Sequence, residues 1–426
     1  MVIKMKYRNQ YLAILHEELK KAMGCTEPIA ISYLASKLKE LLEEDVIQAD
    51  VYVSGNILKN VKSVVVPNTN GLRGIDAAVA IGIVAGSSEL KLECLSKVNQ
   101  VDISNAINLL SKKMINVYNK ESSFIFDIMI TLIGKNNIVK GRIVDNHTNI
   151  VYLEKNNDIL LNQSLIEETK ISNLTDHSIL NVSEIYNFAS KIEINEVEEL
   201  INDQISCNMA IAKVGLQKNY GANIGKTLLK NYPYDVTTKA KAYAAAASDA
   251  RMSGCELPVV INSGSGNQGI TCSIPVIIYA EELKVSKEKL IRALVLSNLL
   301  TAYIKTGIGR LSAFCGAVAA GCAAGASIAY LHDGDLNMIS HTLVNSIAIV
   351  SGIICDGAKS SCAAKIASSV DAGILGYKLY CDGNEFYSGE GIVTKGVDNT
   401  IANIGILASR GMSETDKEII NLMLKN

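Results

Sequence analysis

The sequence predicts an α+β fold, with a large, mainly α-helical domain and a smaller α/β part that contains a mostly antiparallel sheet. Apolar residues recur at helical spacing along most of the 426-residue chain. Residues 116–160 differ, because short segments rich in β-branched residues alternate there with turn sequences. A polar segment at 167–177 then separates this stretch from a long run of helices. We therefore predict a helical domain from residues 1–44 and 178–426, and a smaller α/β domain from residues 45–177.

Composition excludes several classes of protein. The formal net charge is −2 and no long basic run is present, so nucleic-acid binding has no electrostatic support. The amphipathic, charged N-terminus lacks the apolar core of a signal peptide. Residues 311–331 are long enough for a membrane span, but Ala, Gly, Ser and Cys dominate them and favour a buried helix. We expect a cytoplasmic protein that binds no membrane and keeps its ten cysteines reduced. A homodimer is an open alternative.

The N-terminal part is predicted to mix helices and strands. Two helices are expected first, and Thr26 is the candidate N-cap of the second. The triplet 54–56 is predicted to be a turn between two strands. The expected helices lie at 8–22, 26–42, 74–83 and 102–113, and the expected strands at 47–54, 61–66, 123–132, 137–145, 150–154 and 158–161. Helices are then predicted at 183–191, 194–214, 224–230, 236–252, 275–282, 286–304, 310–330, 335–354, 358–375 and 413–424.

The stretch 310–369 carries the strongest chemical signal. Cys315, Cys322, Cys355 and Cys362 form two C-x6-C pairs among Ala and Gly residues. Seven residues make about two helical turns, so each pair fits either ligands on one face or an apolar core stripe. Asp-Gly after Cys355 is a helix stop, which places Cys355 at a helix end and Cys362 at the start of the next helix. Cys322 lies inside the Ala-rich run and is predicted to be packing.

Charged and polar neighbours strengthen the thiol hypothesis. Lys305 and Arg310 precede Cys315 and could offset the charge of a thiolate or a cluster. Cys25 lies between two predicted helices, near a helix N-terminus that would lower the pKa of its thiol. Zinc is the competing metal, but no His stands beside these cysteines and no C-x2-C pair is present. A zinc or redox-sensing protein without enzymatic activity is therefore the alternative from another class.

The second candidate is the glycine- and serine-rich segment 263–269. Backbone N–H groups and hydroxyls ahead of a helix form a cradle for a small anion, most naturally a carboxylate. The segment lacks the Lys-Ser/Thr end of a phosphate-binding P-loop. The alternative interpretation is a flexible turn.

Four motifs in chain order resemble the L-cysteine desulfidase family, relatives of the alpha part of iron–sulfur L-serine dehydratases. The motifs are GCTEP at 24–28, SGSGNQG at 263–269, SAFCG at 312–316 and CDGAK at 355–359. The resemblance implies breakdown of L-cysteine to pyruvate, ammonia and hydrogen sulfide without pyridoxal phosphate, by a lyase with a 4Fe–4S cluster. The alternative is an iron–sulfur L-serine or L-threonine dehydratase.

The resemblance also implies roles for individual residues. Cys315, Cys355 and Cys362 would hold the cluster, with Cys25 as the rival third ligand. An open iron would bind the substrate sulfur as a Lewis acid. The candidate bases that remove the Cα proton are Cys25 and Lys359. The expected substrate-binding residues are Ser263, Ser265, Asn267, Gln268 and Arg310.

Overall fold

The structure is a computed structural model that describes residues 7–23, 26–145, 147–163, 175–309 and 312–425. Three sequence-based expectations lie outside the described residues: the position of Cys25, the position of Arg310, and most of the predicted linker at 167–177.

Helices dominate the described chain. They are α1 (Arg8–Glu18), α2 (Thr26–Leu42), α3 (Gly55–Val61), α4 (Gly74–Ala85), α5 (Gln100–Ser111), α6 (Val182–Lys191), α7 (Glu198–Gln217), α8 (Ile224–Asn231), α9 (Val236–Met252), α10 (Gly266–Leu283), α11 (Lys287–Ile308), α12 (Gly316–Leu331), α13 (Leu336–Val350), α14 (Ser361–Cys381), α15 (Val397–Ile406) and α16 (Ser413–Lys425). The strands are β1 (Lys21–Met23), β2 (Gln48–Ser54), β3 (Ile115–Lys120), β4 (Asp127–Ile133), β5 (Ile138–Val144), β6 (Ile150–Lys155), β7 (Asp158–Asn162) and β8 (Pro258–Val260). The predicted α+β class is confirmed.

The larger sheet has six strands in the order β3-β2-β4-β5-β6-β7. The β2–β3 pair is parallel and the other neighbours are antiparallel, which confirms the mostly antiparallel prediction. Helix α2 packs on one face of this sheet. A Cβ on Gly141 of β5 would lie 3.0 Å from Leu34 and 3.1 Å from Leu38, so the missing side chain lets the helix approach the strand closely.

Two hydrophobic cores organise the molecule. The larger lies among the helices from α6 to α15 together with α1, and it is built mainly from Ala, Ile, Leu and Val. The smaller lies between the six-stranded sheet and α2, α3 and α4. Helix α2 thus shares its core with the sheet, although the predicted boundary at residue 44 would group it with the helical domain. The division of the chain into two domains stays a prediction.

Several local predictions were wrong for physical reasons. Helix α1 ends at Glu18, because residues 21–23 form β1 and pair with β8 across more than 200 residues of sequence. The triplet 54–56 opens helix α3 rather than a turn, and the predicted strand at 61–66 is mostly irregular, with an isolated bridge from Val65 to Arg73. Helix α10 begins at Gly266 and accommodates Pro275 in its interior.

No helix in the described ranges is long and apolar enough to cross a membrane. The Ala-rich segment predicted as a buried helix forms α12, which packs between α10, α11, α13 and α14.

Candidate active site

Two short backbone segments place Cys315 and Cys355 side by side. Phe314 and Ile354 form an isolated antiparallel bridge. The Cys315 amide donates to the carbonyl of Ile353 at 3.0 Å, and the Cys355 amide donates to the carbonyl of Ala313 at 2.6 Å. Cys315 is also the N-cap of α12, while Cys355 follows α13 by a few residues. The two thiols therefore come from different loops that are tied together, and Cys362 lies at the start of the next helix, as the helix stop after Cys355 predicts.

A hydrogen bond joins the side chains of Cys315 and Cys355. Cys315 hydrogen-bonds to Cys355, and this bond lowers the pKa of Cys355 against the opposing effect of burial. The positive charge of Lys59, the Gly357 amide and Lys305 favour the same thiolate. The bond and burial together raise the pKa of Cys315 well above its ordinary value. Of the pair, Cys355 is thus the thiol whose ionised form is favoured, in a half-buried and positively charged setting.

Cys362 supplies the third thiol from the first turn of α14. Its Sγ lies 3.5 Å from the carbonyl of Gly357, and it packs against Val64 and Met252. Burial raises the pKa of this thiol, and the neighbouring charge of Cys355 raises it further. The side chains that pack against Cys362 thus come from the segment after α3, which contains Val64, and from the end of α9, which contains Met252.

Cys322 differs from the other three cysteines. It is fully buried in the second turn of α12. Burial raises the pKa of its thiol to about 12, and Ser346 of α13 hydrogen-bonds to it. These surroundings agree with the packing role predicted for it.

Lys359 is engaged in an ion pair. Its ammonium contacts the carboxylate of Asp356 and donates to the Asp356 carbonyl at 2.9 Å. Lys365 binds the same carboxylate and donates to the carbonyl of Ile354 at 2.8 Å. Burial opposes the charge on Asp356, but the two lysines outweigh it and lower the pKa of that carboxyl. The pair holds the loop after Cys355 in place, so Lys359 would have to leave Asp356 to act as a base.

The segment 263–269 closes on itself before it enters α10. Asn262 and Ser265 exchange backbone hydrogen bonds of 3.1 and 3.0 Å, and Ser263 and Gly264 between them have φ values of +50° and +75°. The Ser263 hydroxyl donates to the Asn262 side chain at 2.8 Å. Asn267 accepts from Ser248 at 3.2 Å. A tight turn at a helix N-terminus is therefore present, as the anion-cradle hypothesis requires.

Gln268 connects this turn to the thiols. A Cβ on Gly316, next to Cys315, would lie 2.6 Å from the Gln268 Cδ. Gln268 is 5% exposed, and its Oε1 accepts no hydrogen bond from the described residues. Asn267 reaches Met252 at 3.7 Å, and Met252 packs on Cys362. Two predicted motifs thus meet at one site, with a buried acceptor oxygen between them.

Three basic residues, Lys305, Lys59 and Arg251, lie near the site. Lys305 was predicted to balance the cluster charge or to bind the substrate carboxylate, and burial lowers its pKa to about 8 although both Cys355 and Cys315 oppose that shift. Lys59 and Arg251 were missed. Arg251 packs its guanidinium against Gly266, where a Cβ would lie 2.2 Å from Nε. The position of Arg251 in the last turn of α9, just ahead of the glycine-rich segment, was the available signal.

In the parts of the chain that the structure describes, no three side chains of His, Cys, Asp or Glu are grouped so that they could hold a metal ion. This finding concerns ligands that converge on one ion. The thiolates of an iron–sulfur cluster bind different iron atoms, so their sulfurs do not share one centre.

Comparison with known proteins points to a dehydratase-like lyase. The chain belongs to the serine dehydratase alpha chain family, which it matches over residues 91–421. The UPF0597 protein of Desulfitobacterium hafniense is 58% identical over 98% of this chain and 97% of its own length. The UPF0597 proteins of Treponema denticola and Finegoldia magna are 44% and 46% identical, over 98% and 97% of this chain and 98% and 99% of their own lengths.

Proposed function

We propose that this protein breaks L-cysteine down to pyruvate, ammonia and hydrogen sulfide, without pyridoxal phosphate, at a 4Fe–4S cluster held by Cys315, Cys355 and Cys362. The observation that carries the proposal is the meeting of these thiols, one buried and two half-buried, with two buried lysines and a Gln268 oxygen that has no partner among the described residues. Membership of the serine dehydratase alpha chain family supports elimination of a leaving group from the β-carbon of a small amino acid.

The donor set fits an iron–sulfur cluster. Thiolates are the ordinary protein ligands of such clusters, and buried cations offset the negative charge that a thiolate-bound cluster brings into the interior. Lys305 and Lys59 are 6% and 2% exposed and act on Cys355 from within the protein. When bound, the cluster supplies a Lewis-acidic iron with one open position for the leaving group.

The chain's own residues orient the amino acid. The turn at 263–265 and the first amides of α10 receive the carboxylate, with the Arg251 guanidinium beside them. Arg310 stays a predicted second cation for this carboxylate. The Gln268 Oε1 accepts a hydrogen bond from the substrate ammonium, which satisfies an oxygen that has no partner among the described residues. These contacts fix the Cα–H and Cβ–S bonds relative to the thiol loops.

A base on the chain removes the Cα proton. Cys25 and Lys359 keep their predicted candidacy, and Lys305 joins them because burial lowers its pKa to about 8. The Cα–H electron pair forms the Cα=Cβ bond as the Cβ–S bond breaks, and sulfide leaves with a proton. The resulting aminoacrylate tautomerises to an imine, and water hydrolyses this imine to pyruvate and ammonia. No external oxidant or reductant is needed.

The second candidate is an L-serine dehydratase with the same site. The family match favours it, since the family takes its description from serine dehydratase. The elimination has the same steps, with water instead of hydrogen sulfide as the leaving group.

Anaerobic reconstitution followed by substrate assays tests both candidates. We expect bound iron and acid-labile sulfide, with a higher kcat/KM for sulfide release from cysteine than for pyruvate formation from serine. Cys355→Ala should lose the iron, whereas the matched Cys322→Ala variant should retain it. A protein that remains free of iron after reconstitution contradicts the cluster assignment, and a preference for serine selects the second candidate.

A further inference from the structure

Lys59 is a buried cation that the proposed chemistry does not use directly. It lies in α3 of the sheet-containing unit and is 2% exposed. A lysine this buried is costly unless its ammonium is paired. We therefore expect a lysine at this position, in a short helix of the smaller core, to have a specific role.

Lys59 contacts both cysteine loops of the helical unit. Its Nζ lies 3.5 Å from the carbonyl of Ser312, three residues before Cys315. Its backbone carbonyl lies against Gly357, two residues after Cys355, where a Cβ would be 2.1 Å from the oxygen. Gly357 has a φ of +95°, so glycine serves both the backbone conformation and the close approach. One residue thus touches the loops that carry the two paired thiols.

The C-terminal helix holds this lysine in place. The carboxylate of Asp416 in α16 forms an ion pair with the Lys59 ammonium. The Lys59 side chain is 1% exposed and that of Asp416 is 20% exposed, so the pair reaches from the interior toward the surface. Lys62, the C-cap residue of α3, contacts the carbonyl of Met423 in α16.

We propose that Lys59 is a positioning residue that braces the two cysteine loops, which means that it holds them at a fixed distance from each other, and that it places a positive charge beside the thiols. The ion pair with Asp416 fixes the position of the Lys59 side chain. The inference rests on the proposed cluster function and deepens it, because it assigns the small unit and the C-terminal helix a part in building the cluster site.

The electrostatics of the pair agree with this role. The positive charge of Lys59 contributes to the lowered pKa of Cys355, after the hydrogen bond from Cys315. The Lys59 ammonium is thus contacted by Ser312 of one cysteine loop and by Asp416 of α16. The contacts of Lys59 with Ser312 and Gly357 define the brace without reference to the pKa of Cys355.

Backbone amide exchange of the iron-free protein tests the brace without reference to activity. Lys59→Met keeps the length of the side chain but removes the ammonium. We expect amide exchange in the segments 312–316 and 353–358 to become about tenfold faster in this variant, because the contact with Ser312 is lost. In reconstituted protein, the rate of iron loss to a chelator should rise by about the same factor.

Lys62→Met is the matched control, since it removes the lysine at the C-cap of α3, which contacts α16 and, among the described residues, donates to neither cysteine loop. It should leave exchange of both loops and the rate of iron loss near the wild-type values. Asp416→Asn should accelerate amide exchange and iron loss, but less than Lys59→Met does. The double variant Lys59→Met/Asp416→Asn separates the loss of the lysine charge from the effect of leaving the Asp416 carboxylate unpaired. Far-UV circular dichroism establishes that each variant is folded.

Equal exchange and iron loss in Lys59→Met and Lys62→Met would overturn the inference. A wild-type protein that binds no iron would instead contradict the proposed function, and the exchange measurement would still decide whether Lys59 braces the loops. Failure of the inference and failure of the proposed function are therefore distinguishable.

Discussion

Gln268 carries a buried side-chain oxygen without a hydrogen-bond donor among the described residues. An unsatisfied buried carbonyl costs about 1–3 kcal/mol, so such a group is expected where a ligand completes it. Gln268 is 5% exposed and lies against Gly316, beside Cys315. In the proposed function, the substrate ammonium supplies the donor that this oxygen lacks.

Gln268→Met should separate stability from binding. Methionine fills a similar volume without the orphan oxygen, so the free energy of unfolding should stay equal or rise by about 1 kcal/mol. The KM for the amino acid should rise about tenfold, because its ammonium loses an acceptor. Urea unfolding and steady-state kinetics measure the two effects.

Ser327→Ala provides the control for Gln268. The Ser327 hydroxyl in α12 is also buried without a partner among the described residues. This variant should likewise leave stability equal or improved, but it should not change KM. An unchanged KM in Gln268→Met would remove the residue from the substrate site.

Gly357→Ala should be among the most damaging small substitutions in the chain. Its positive φ disfavours alanine, and the added methyl would lie 2.1 Å from the Lys59 carbonyl. We expect a loss of about 3 kcal/mol in the free energy of unfolding and a loss of bound iron. Thermal unfolding and iron analysis check both expectations.

Gly352→Ala is the matched variant for Gly357. It lies in the same connection between α13 and α14, and a Cβ there meets no atom within 4 Å. Its stability and iron content should stay near those of the wild-type protein. Similar losses at both glycines would show that the connection tolerates no side chain anywhere, rather than a specific contact with Lys59.

At the scale of elements, a buried carboxylate joins α9 to the loop before α8. Asp249 is 1% exposed and accepts hydrogen bonds from the amides of Ile224 at 2.6 Å and Ala222 at 3.3 Å. Burial raises the pKa of Asp249 to about 6, and the amide donors only partly oppose this shift. The carboxylate therefore orders the start of α8 at a cost in desolvation.

The raised pKa predicts a pH-dependent stability. The folded state binds the Asp249 proton more tightly than the unfolded state, whose pKa is near 3.8. The unfavourable contribution is therefore fully present above about pH 6 and disappears as the pH falls toward 4, by about 2 kcal/mol. Asp249→Asn should lack this component of the pH dependence.

Urea unfolding between pH 4 and 7 measures the difference between the wild-type protein and Asp249→Asn. The difference curve removes the titration of the other carboxyls. Asp371→Asn, at an exposed carboxylate of α14 that pairs with Lys241 at 2.7 Å, is measured alongside as the surface control. A flat curve for Asp249→Asn would contradict the assigned pKa.

Elements with strong local patterns were predicted well, and elements that depend on distant partners were not. Helix α9 was predicted with the bounds that it has, because its Ala-rich sequence and the Asp235 cap act locally. Strand β1 has only three residues, and its pairing with β8 is invisible in the local sequence. The start of helix α3 was predicted to be a turn, because Ser54 and Gly55 are typical of turns. In the structure they begin a helix that packs against the second core.

The same distinction applies to the site. The cysteines and the glycine-rich turn were recognisable by residue type and spacing. Lys59 was not, since nothing in its local sequence connects it with Ser312 or Asp416, which lie more than 250 residues away. The contact of Gln268 with Gly316 is likewise a product of tertiary packing, although Gln268 itself was predicted to bind substrate.

At the scale of the whole molecule, the two hydrophobic cores meet where the thiol site lies. Helix α3 of the second core reaches the site through Lys59, and a small separate cluster of Val64 and Met252 packs against Cys362. Helix α16 follows the last helices of the larger core but packs on α3 of the smaller one, where Ile420 lies against Gly55. The C-terminal helix therefore fastens one core to the other beside the cysteines.

Stopping the chain after Gly411 should loosen this junction. The truncation removes α16, which exposes one side of α3 and leaves the Lys59 ammonium without its carboxylate. We expect the free energy of unfolding to fall by about 3 kcal/mol, and iron to be lost to a chelator about tenfold faster than from the full-length protein. Ile420→Ala removes apolar packing but keeps Asp416, so it should lower stability while leaving the rate of iron loss unchanged. If the truncated protein holds its iron as the full-length protein does, the C-terminal helix contributes packing alone and the two cores assemble the thiol site without it.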